Sequence, residues 1–581
     1  MGFSSQTVTT EHAWLNHPHT TILSYNERDC VATIRAAKSL RTVLERNKQW
    51  EFYRRFIWPT VPPTMRMQAR GLPYDTKLRD TYRRSLRLEL GSTDNELRAH
   101  FARTYASPEA TTAIIWQTLA WSLPELELEG YYGTKPKPFA RRKSPFTEAE
   151  WAKLSKHSAS GFNPNSRDQL RVWLFHKDGL GLRPPASKQY LTDTGKVSVD
   201  QQTLNHLLQR RSRSKAESEQ ILAATPIIHL LMHRARLQKI DQDYLDPEVR
   251  YEQELHGVRV LPSSAVSEGR RGRSDLQPMR ELVQASERQR ARVFPRIKIL
   301  GTESGRYAYA EPPVHSWPDE IRHIVRASPS HTIIGADYSA VEARVFAILT
   351  NDRLLLELFE NNRLYPDNKR YDLHITNFCD FFGWKFEQFT AQNALAQKAS
   401  RNFAKVIQYG VFQYGGEPAT VRSKIYCPCK RCEAKAPPVL EVTPERRVIA
   451  TQRWFVKHPA VVFWRARISK QLLDTKWLTN PFGRRRYFAA PFSREQEREG
   501  WNWMIQSTAL DIIQRALVEL DSLGAPLILQ HHDALYLESP DADVVRWSAL
   551  LKTTMEKPVP ELRDIIFPVE VATGQSWGDL H

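Results

Sequence analysis

Leu527-Ile528-Leu529-Gln530-His531-His532-Asp533-Ala534-Leu535-Tyr536-Leu537-Glu538 is the stretch on which the fold turns. Apolar runs flank a polar tip that carries one aspartate, the pattern of two strands joined by a tight turn. A second aspartate ends another β-like run, Thr332-Ile333-Ile334-Gly335-Ala336-Asp337-Tyr338-Ser339. Carboxylates so far apart in sequence meet only if their strands lie side by side in one sheet. Such a pair can hold two divalent cations about 3.5–4 Å apart, the arrangement that serves nucleotidyl transfer. Aspartates at strand ends are common, so the segments between the two runs carry much of the weight.

The chain has 581 residues, 41% of them hydrophobic, enough for several packed subdomains rather than one small core. Lys and Arg number 83 against 65 Asp and Glu, a formal charge of +18. That surplus points to a polyanionic partner, with a solvated basic surface as the alternative. The cations cluster in Arg210-Arg211-Ser212-Arg213-Ser214-Lys215, Arg270-Arg271-Gly272-Arg273 and Arg484-Arg485-Arg486, as contacts along one backbone would require. Five cysteines exclude a disulfide scaffold. No apolar run approaches 18 residues and the amino terminus is polar, so a soluble, cytoplasmic protein without a membrane partner is expected.

Helical patterns are expected at 26–46, 76–122, 166–176, 199–209, 216–244 (split at Pro226) and 494–523. A break at Pro59–Pro63 leads to a short strand or turn entry over 65–75. Residues 123–160 read as an insertion or linker, and 246–292 as a polar, basic connection. Strand-like runs occupy 293–300 and 322–340. Helices follow to about 424, then a Cys- and Pro-rich insert at 426–444 and helices to about 475. The alternation implies an α+β architecture, a sheet holding the carboxylates between two mainly helical regions.

Asp337-Tyr338-Ser339-Ala340-Val341-Glu342-Ala343-Arg344 places a metal-competent carboxylate where a strand gives way to a helix. Ser339 suits a helix cap, and Glu342 and Arg344 also fit a solvated helix face. In Arg401-Asn402-Phe403-Ala404-Lys405-Val406-Ile407-Gln408-Tyr409-Gly410, residues 401, 405 and 409 share one helix face. Two cations followed by an aromatic ring suit a triphosphate with its base stacked beyond, although solvated cations on an amphipathic helix give the same pattern. Arg498, Asn502 and Gln506 repeat every four residues, and amides on one face can read minor-groove acceptors without demanding a sequence.

Taken in order, these segments resemble the DNA polymerase I family (family A). Thr302-Glu303-Ser304-Gly305-Arg306 resembles its T-x-[TS]-G-R, and Asp337 to Arg344 its D-Y-S-x-[IV]-E-x-R motif A. Asp372-Leu373-His374 resembles the D-[IL]-H ahead of the fingers helix, and Arg401 to Gly410 the R-x3-K-x3-[FY]-G of motif B. Gly483 to Tyr487 resembles G-R-R-R, Asn502 to Gln506 the N-x3-Q helix, and Gln530 to Asp533 the Q-x-H-D of motif C. Phe162-Asn163-Pro164 and residues 194–200 resemble thumb segments. The resemblance runs from about residue 50 to the carboxyl terminus, insertions excepted.

The resemblance implies a right-hand fold: palm over 51–75, 291–345 and 491–581, thumb over 76–290 and fingers over 346–490. It implies two Mg²⁺ ions, with Mn²⁺ as a substitute, on Asp337 and Asp533. Arg401, Lys405, His374 and Tyr409 would bind the incoming dNTP, Lys405 would protonate the leaving group, and Glu342 with Tyr409 would exclude ribose. Arg306, Arg498, Asn502, Gln506 and His532 would contact the primer–template.

The chain also departs from the family pattern. Ala534 stands where motif C continues with Glu, and three residues rather than two separate Gly410 from Tyr414, which puts the template-side role of Tyr414 in doubt. Tyr409 in place of Phe implies ready use of dideoxynucleotides. Tyr25-Asn26-Glu27-Arg28-Asp29 resembles the third motif of the family's 3′–5′ exonuclease, but the earlier carboxylates have no room. Residues 1–50 are therefore expected to be an exonuclease remnant, without proofreading unless a separate chain completes the site; a separate processivity chain is a further candidate partner. Cys427, Cys429 and Cys432 supply three thiols where structural Zn²⁺ takes four ligands; free or buried thiols are the preferred reading. Two competing readings are a single-subunit RNA polymerase, disfavoured by Glu342, and an inactive DNA-binding factor, disfavoured by both aspartates.

Overall fold

The computed structural model describes residues 19–104, 162–175, 179–185, 187, 190–193, 195–209, 212–245, 253–255, 258–260, 291–418, 443–489 and 491–580. Two compact units emerge: residues 1–74 with 251–581, and residues 75–250.

The chain enters through helix α1 (His19–Arg46), whose described side chains are largely exposed, and reaches α2 (Val61–Arg70). The strand or turn expected over 65–75 is mostly this helix. Its prolines lie in the first turn, where the missing amide would have no intrahelical partner, so they start the helix instead of breaking it. Only Leu72–Pro73 forms a strand, paired with Arg292–Val293.

The second unit is built on α3 (Thr76–Thr104) and α4 (Lys215–Lys239). Leu97, Phe101, Phe162, Trp173, Ile227, Ile228 and Leu231 belong to its core. The split expected at Pro226 does not occur. A proline inside a helix costs about 3 kcal/mol, but Ala224, Ile227, Ile228 and Leu231 are buried around it, and each large apolar side chain contributes roughly 1.5–3 kcal/mol. Burial outweighs the local penalty. Arg234 donates to Asp94 at 2.5 Å and Arg83 to Asp241 at 2.6 Å, tying α4 and the turn after it to α3.

The first unit is centred on an antiparallel sheet of β1 (His331–Tyr338), β2 (Leu527–His531), β3 (Ala534–Pro540) and β4 (Val569–Gly574), in the order β2-β3-β1-β4. The run expected over 322–340 is strand only in its second half; Asp319–Ile324 is a 3₁₀ turn. Ile333, Ile334, Leu535 and Leu537 are fully buried. Gly335 is required where it stands: a Cβ there would lie 2.9 Å from the Tyr536 ring.

β1 leads through a left-handed Ala340 into α5 (Val341–Thr350), and further on come α6 (Leu373–Phe382) and α7 (Ala394–Ile407). Phe378, Phe381, Phe403, Phe412 and Trp454 form an aromatic core there, Phe412 stacking on Trp454 at 3.7 Å. The long α8 (Arg494–Ser522) is buried on most sides from Trp503 to Leu520 and packs on α5, so it runs through the interior.

Candidate active site

Asp337 is the penultimate residue of β1, and Asp533 lies in the turn between β2 and β3, made possible by left-handed His532. The Tyr338 amide donates to the Asp533 carbonyl at 3.3 Å, which fixes the turn beside the end of β1. The two aspartates therefore meet, as the sequence predicts. Asp337 stands exposed at the strand end and Asp533 is half-buried; partial desolvation, followed by the charges of Asp533 and Glu570, pushes the Asp337 carboxyl up to about 7, and desolvation, followed by Glu342, pushes Asp533 up to about 6. The hydrogen bonds that they accept come from backbone amides, of Tyr338 and of Asp533 itself. Uncompensated carboxylate oxygens are the donor set that a hard dication takes. Among the described residues no three His, Cys, Asp or Glu side chains are grouped to hold one ion.

Glu342 and Arg344 do not form a solvated helix face: both are buried. Arg344 donates to the Ser339 and Phe359 carbonyls and to Asn362, a clamp for the strand-to-helix corner, and burial lowers its guanidinium to about 10. Nor does Ser339 cap the helix; the cap position is Ala340, which makes no side-chain hydrogen bond. Glu342 accepts from Arg306 and from the Tyr414 hydroxyl. Tyr414 also lies beside Gln506, and burial, followed by Glu342, pushes its hydroxyl up.

The extra residue before Tyr414 is absorbed by a π-helical segment, Gln408–Gln413. The Tyr414 amide bonds to the Tyr409 carbonyl, five residues back, at 3.0 Å. A π turn takes one more residue than an α turn, so Tyr414 still reaches the site. Arg465 steadies this segment, donating to the Val411 and Phe412 carbonyls at 2.7 Å each.

α7 carries Arg401 and Lys405 on one face, and Tyr409 follows in the π segment. Arg401 donates twice to Asp372 Oδ2, at 3.0 and 2.9 Å. The same carboxylate caps α6 through the His374 and Ile375 amides, a structural role that the sequence reading of Asp372 missed; the N-cap spacing ahead of α6 was the available signal. Lys405 makes no hydrogen bond or ion pair among the described residues, and its charge acts on both Asp337 and Asp533. His374 is buried beside Tyr409, ring centroids 5.9 Å apart, and burial lowers it to about 4, so it is neutral.

On α8, Arg498 and Asn502 precede Gln506 by two turns and one. Gly415, with φ of +69°, lets the end of the π segment approach α8: a Cβ would lie 2.8 Å from Trp501 and 2.9 Å from Arg498. His532 stands at the exposed hairpin turn, its imidazole lowered to about 4 by local desolvation, followed by the charge of Arg306. The Arg-rich turn is not a free patch. Arg484 is buried against fully buried Asp511 at 2.6 Å, Arg485 donates to the Asn47 carbonyl at 3.0 Å, and Arg486 bridges Glu303 and Glu499 at 2.5 Å each. Asp29 lies on α1 and is exposed. Cys427, Cys429 and Cys432 lie outside the described residues, as do Arg210, Arg211 and residues 270–273.

Among known proteins, the thermostable DNA polymerase I of Thermus filiformis is 28% identical over 446 residues, covering 74% of this chain and 43% of that protein. The DNA polymerase I of Geobacillus stearothermophilus is 29% identical over 297 residues, 48% of this chain and 30% of that protein. The chain thus spans less than half the length of these relatives. The POL domain of Pol1 from M. smegmatis, solved in complex with DNA primer-template and dNTP, superposes with a TM-score of 0.59 at 17% identity, covering 95% of this chain and 75% of that one. The α+β fold is therefore that of a right-hand polymerase domain. No described helix is long and apolar enough to cross a membrane. The family model for DNA polymerase family A matches residues 143–579, and the chain belongs to that family.

Proposed function

We propose that this chain is a template-directed DNA polymerase that extends a primer 3′-hydroxyl with dNTPs and does not proofread by itself. One observation carries the reading: Asp337 and Asp533 meet at one end of a sheet within reach of the charge of Lys405. The M. smegmatis domain of the same fold, solved with primer-template and dNTP, supports it. Asp337 and Asp533 fit a pair of Mg²⁺ ions, or Mn²⁺ in their place. When bound, such ions activate the 3′-hydroxyl and stabilise charge on the transferring phosphoryl group.

The side chains around them divide the remaining work. Lys405, without a hydrogen bond or ion pair among the described residues, neutralises the triphosphate and supplies a proton to the departing pyrophosphate. Arg401 exchanges Asp372 for phosphate oxygens in a paired, charge-assisted contact. Tyr409, backed by neutral His374, packs on the nucleotide, and Glu342, held by Arg306 and Tyr414, occupies the space of a 2′-hydroxyl. Arg306, Arg498, Asn502, Gln506 and His532 face the minor groove of the primer–template.

We assign palm, thumb and fingers to the ranges expected from the sequence, with unit 75–250 as the body of the thumb. We assign residues 1–50, in which Tyr25 to Asp29 resembles one exonuclease motif, as an exonuclease-like segment. A separate exonuclease or processivity chain is a fitting partner, and the cytoplasm the fitting compartment.

The test is primer extension by the purified chain with Mg²⁺. Expected are dNTP-dependent growth, poor use of rNTPs, and retention of a mismatched 3′ end. Equal use of rNTPs would favour the RNA polymerase reading. Full activity of Asp337→Asn would remove the proposal.

A further inference from the structure

Asp337 has two cross-strand neighbours: Ala534 on β3 and Glu570 on β4, each in direct register with it. Directly opposed residues of antiparallel strands project from the same face, with Cβ atoms about 4.5–5.5 Å apart. Glu570 therefore leaves the sheet on the side of Asp337, while Ala534 brings no polar atom to that side. The backbone at Glu570 is fixed: the Val569 amide donates to Glu556 at 2.8 Å, and Val569 pairs with buried Tyr338.

Glu570 is exposed and makes no hydrogen bond or ion pair among the described residues. Like charges directly opposed across strands destabilise a sheet. The fold thus keeps a repulsive Asp337–Glu570 pair that gives it no structural return. A cation over the end of β1 reverses the sign of that interaction.

We propose that Glu570 is a third carboxylate of the metal centre, acting through water on the ion held at Asp337. Direct ligation is not its role, since no three acidic side chains among the described residues are grouped for one ion. Its charge raises the affinity of the site for a divalent cation, and its oxygens accept hydrogen bonds from water bound to that ion, fixing the orientation of the first ligand sphere. The inference rests on the polymerase reading of Asp337 and Asp533.

Binding of Mn²⁺ to the full chain, followed by electron paramagnetic resonance, tests it without reference to turnover. Glu570→Gln is expected to weaken Mn²⁺ binding about tenfold, and Glu570→Lys further, because outer partners of metal ligands commonly carry effects of 10- to 100-fold. In metal-free buffer Glu570→Gln should melt no lower than the parent, which separates a metal role from a structural one. The Mg²⁺ concentration for half-maximal extension should rise in the same order, with the rate at saturating Mg²⁺ less affected. If Asp337→Asn loses Mn²⁺ while Glu570→Gln and Glu570→Lys bind it like the parent, the proposal for Glu570 is overturned. If Asp337→Asn also binds Mn²⁺ like the parent, the metal-centre reading beneath it fails.

Discussion

At the scale of single residues, the two aspartates are ionised at the expense of the fold. Their carboxyls are raised from 3.8 to about 7 and about 6. Between those values the folded chain holds protons that the unfolded chain has released. Stability in metal-free buffer is therefore fully present below 3.8 and declines as the pH climbs toward 7. Cation affinity rises over the same window, because the ligands must be deprotonated. Asp533→Asn should melt about 1–3 °C above the parent at pH 8 in chelator, and Asp337→Asn, whose exposed side chain is screened by solvent, by less. Both should lose stabilisation by Mg²⁺ and primer extension by roughly a thousandfold, the scale of several kcal/mol of charge stabilisation. Calorimetry with and without Mg²⁺ checks this; a parent and variants that melt together in chelator at pH 8 would refute it. Tyr409 gives a second outcome. The parent should terminate readily on dideoxynucleotides, and Tyr409→Phe should shift termination against extension on the order of tenfold, read from band ladders at equimolar dNTP and terminator.

At the scale of elements, the π segment shows what spacing alone leaves open. Counted along an α-helix, one extra residue turns Tyr414 about 100° away; the structure instead widens one turn and keeps the hydroxyl on Glu342. No residue of 408–413 announces this. The device that holds it, Arg465, comes from a later helix. Arg465→Met leaves two carbonyls without their donor, a cost of about 1–3 kcal/mol. Tyr414 then loses its fixed place, and KM for dNTP should rise about tenfold. Arg465→Met combined with Tyr414→Phe should be no worse than either alone, the non-additivity of one coupled network; additive losses in steady-state kinetics would break the link.

Burial is similarly invisible in the run Arg484-Arg485-Arg486. Its charge is plain in the sequence, but the partner of Arg484 is Asp511 on α8. Arg484→Met should destabilise by about 3–5 kcal/mol, and Arg484→Met with Asp511→Leu should recover most of it, since the single change strands a buried carboxylate; urea melts decide. By contrast, the Asp337–Asp533 pair, the shared face of Arg401 and Lys405 and most helices were legible, because period and sequence order encode them, whereas Tyr409 falls in the π segment, outside the α-helical period. Residues 61–70 and Pro226 were not legible, because proline is read locally while packing decides whether its cost is met.

At the scale of the whole molecule, net charge and DNA grip are separate quantities. The chain carries +18, yet Arg306, Arg484 and Arg486 are already engaged by Glu342, Asp511, Glu303 and Glu499. The salt dependence of binding counts phosphates neutralised, with about 0.9 in slope for each on duplex DNA. Arg213 and Lys215 are exposed at the amino-terminal end of α4, where they suit phosphate contact. Asn502 and Gln506 suit base edges, which contribute no counterion release. Fluorescence anisotropy with a labelled primer–template over roughly 50–300 mM KCl should therefore give log K against log salt a slope near −5 for about six phosphates. Arg213→Ala with Lys215→Ala should flatten that slope by about 2, whereas Asn502→Ala with Gln506→Ala should weaken binding by a similar factor at every salt concentration and leave the slope alone. If the amide pair changes the slope and the cation pair does not, the division of labour between backbone and groove assigned here is reversed.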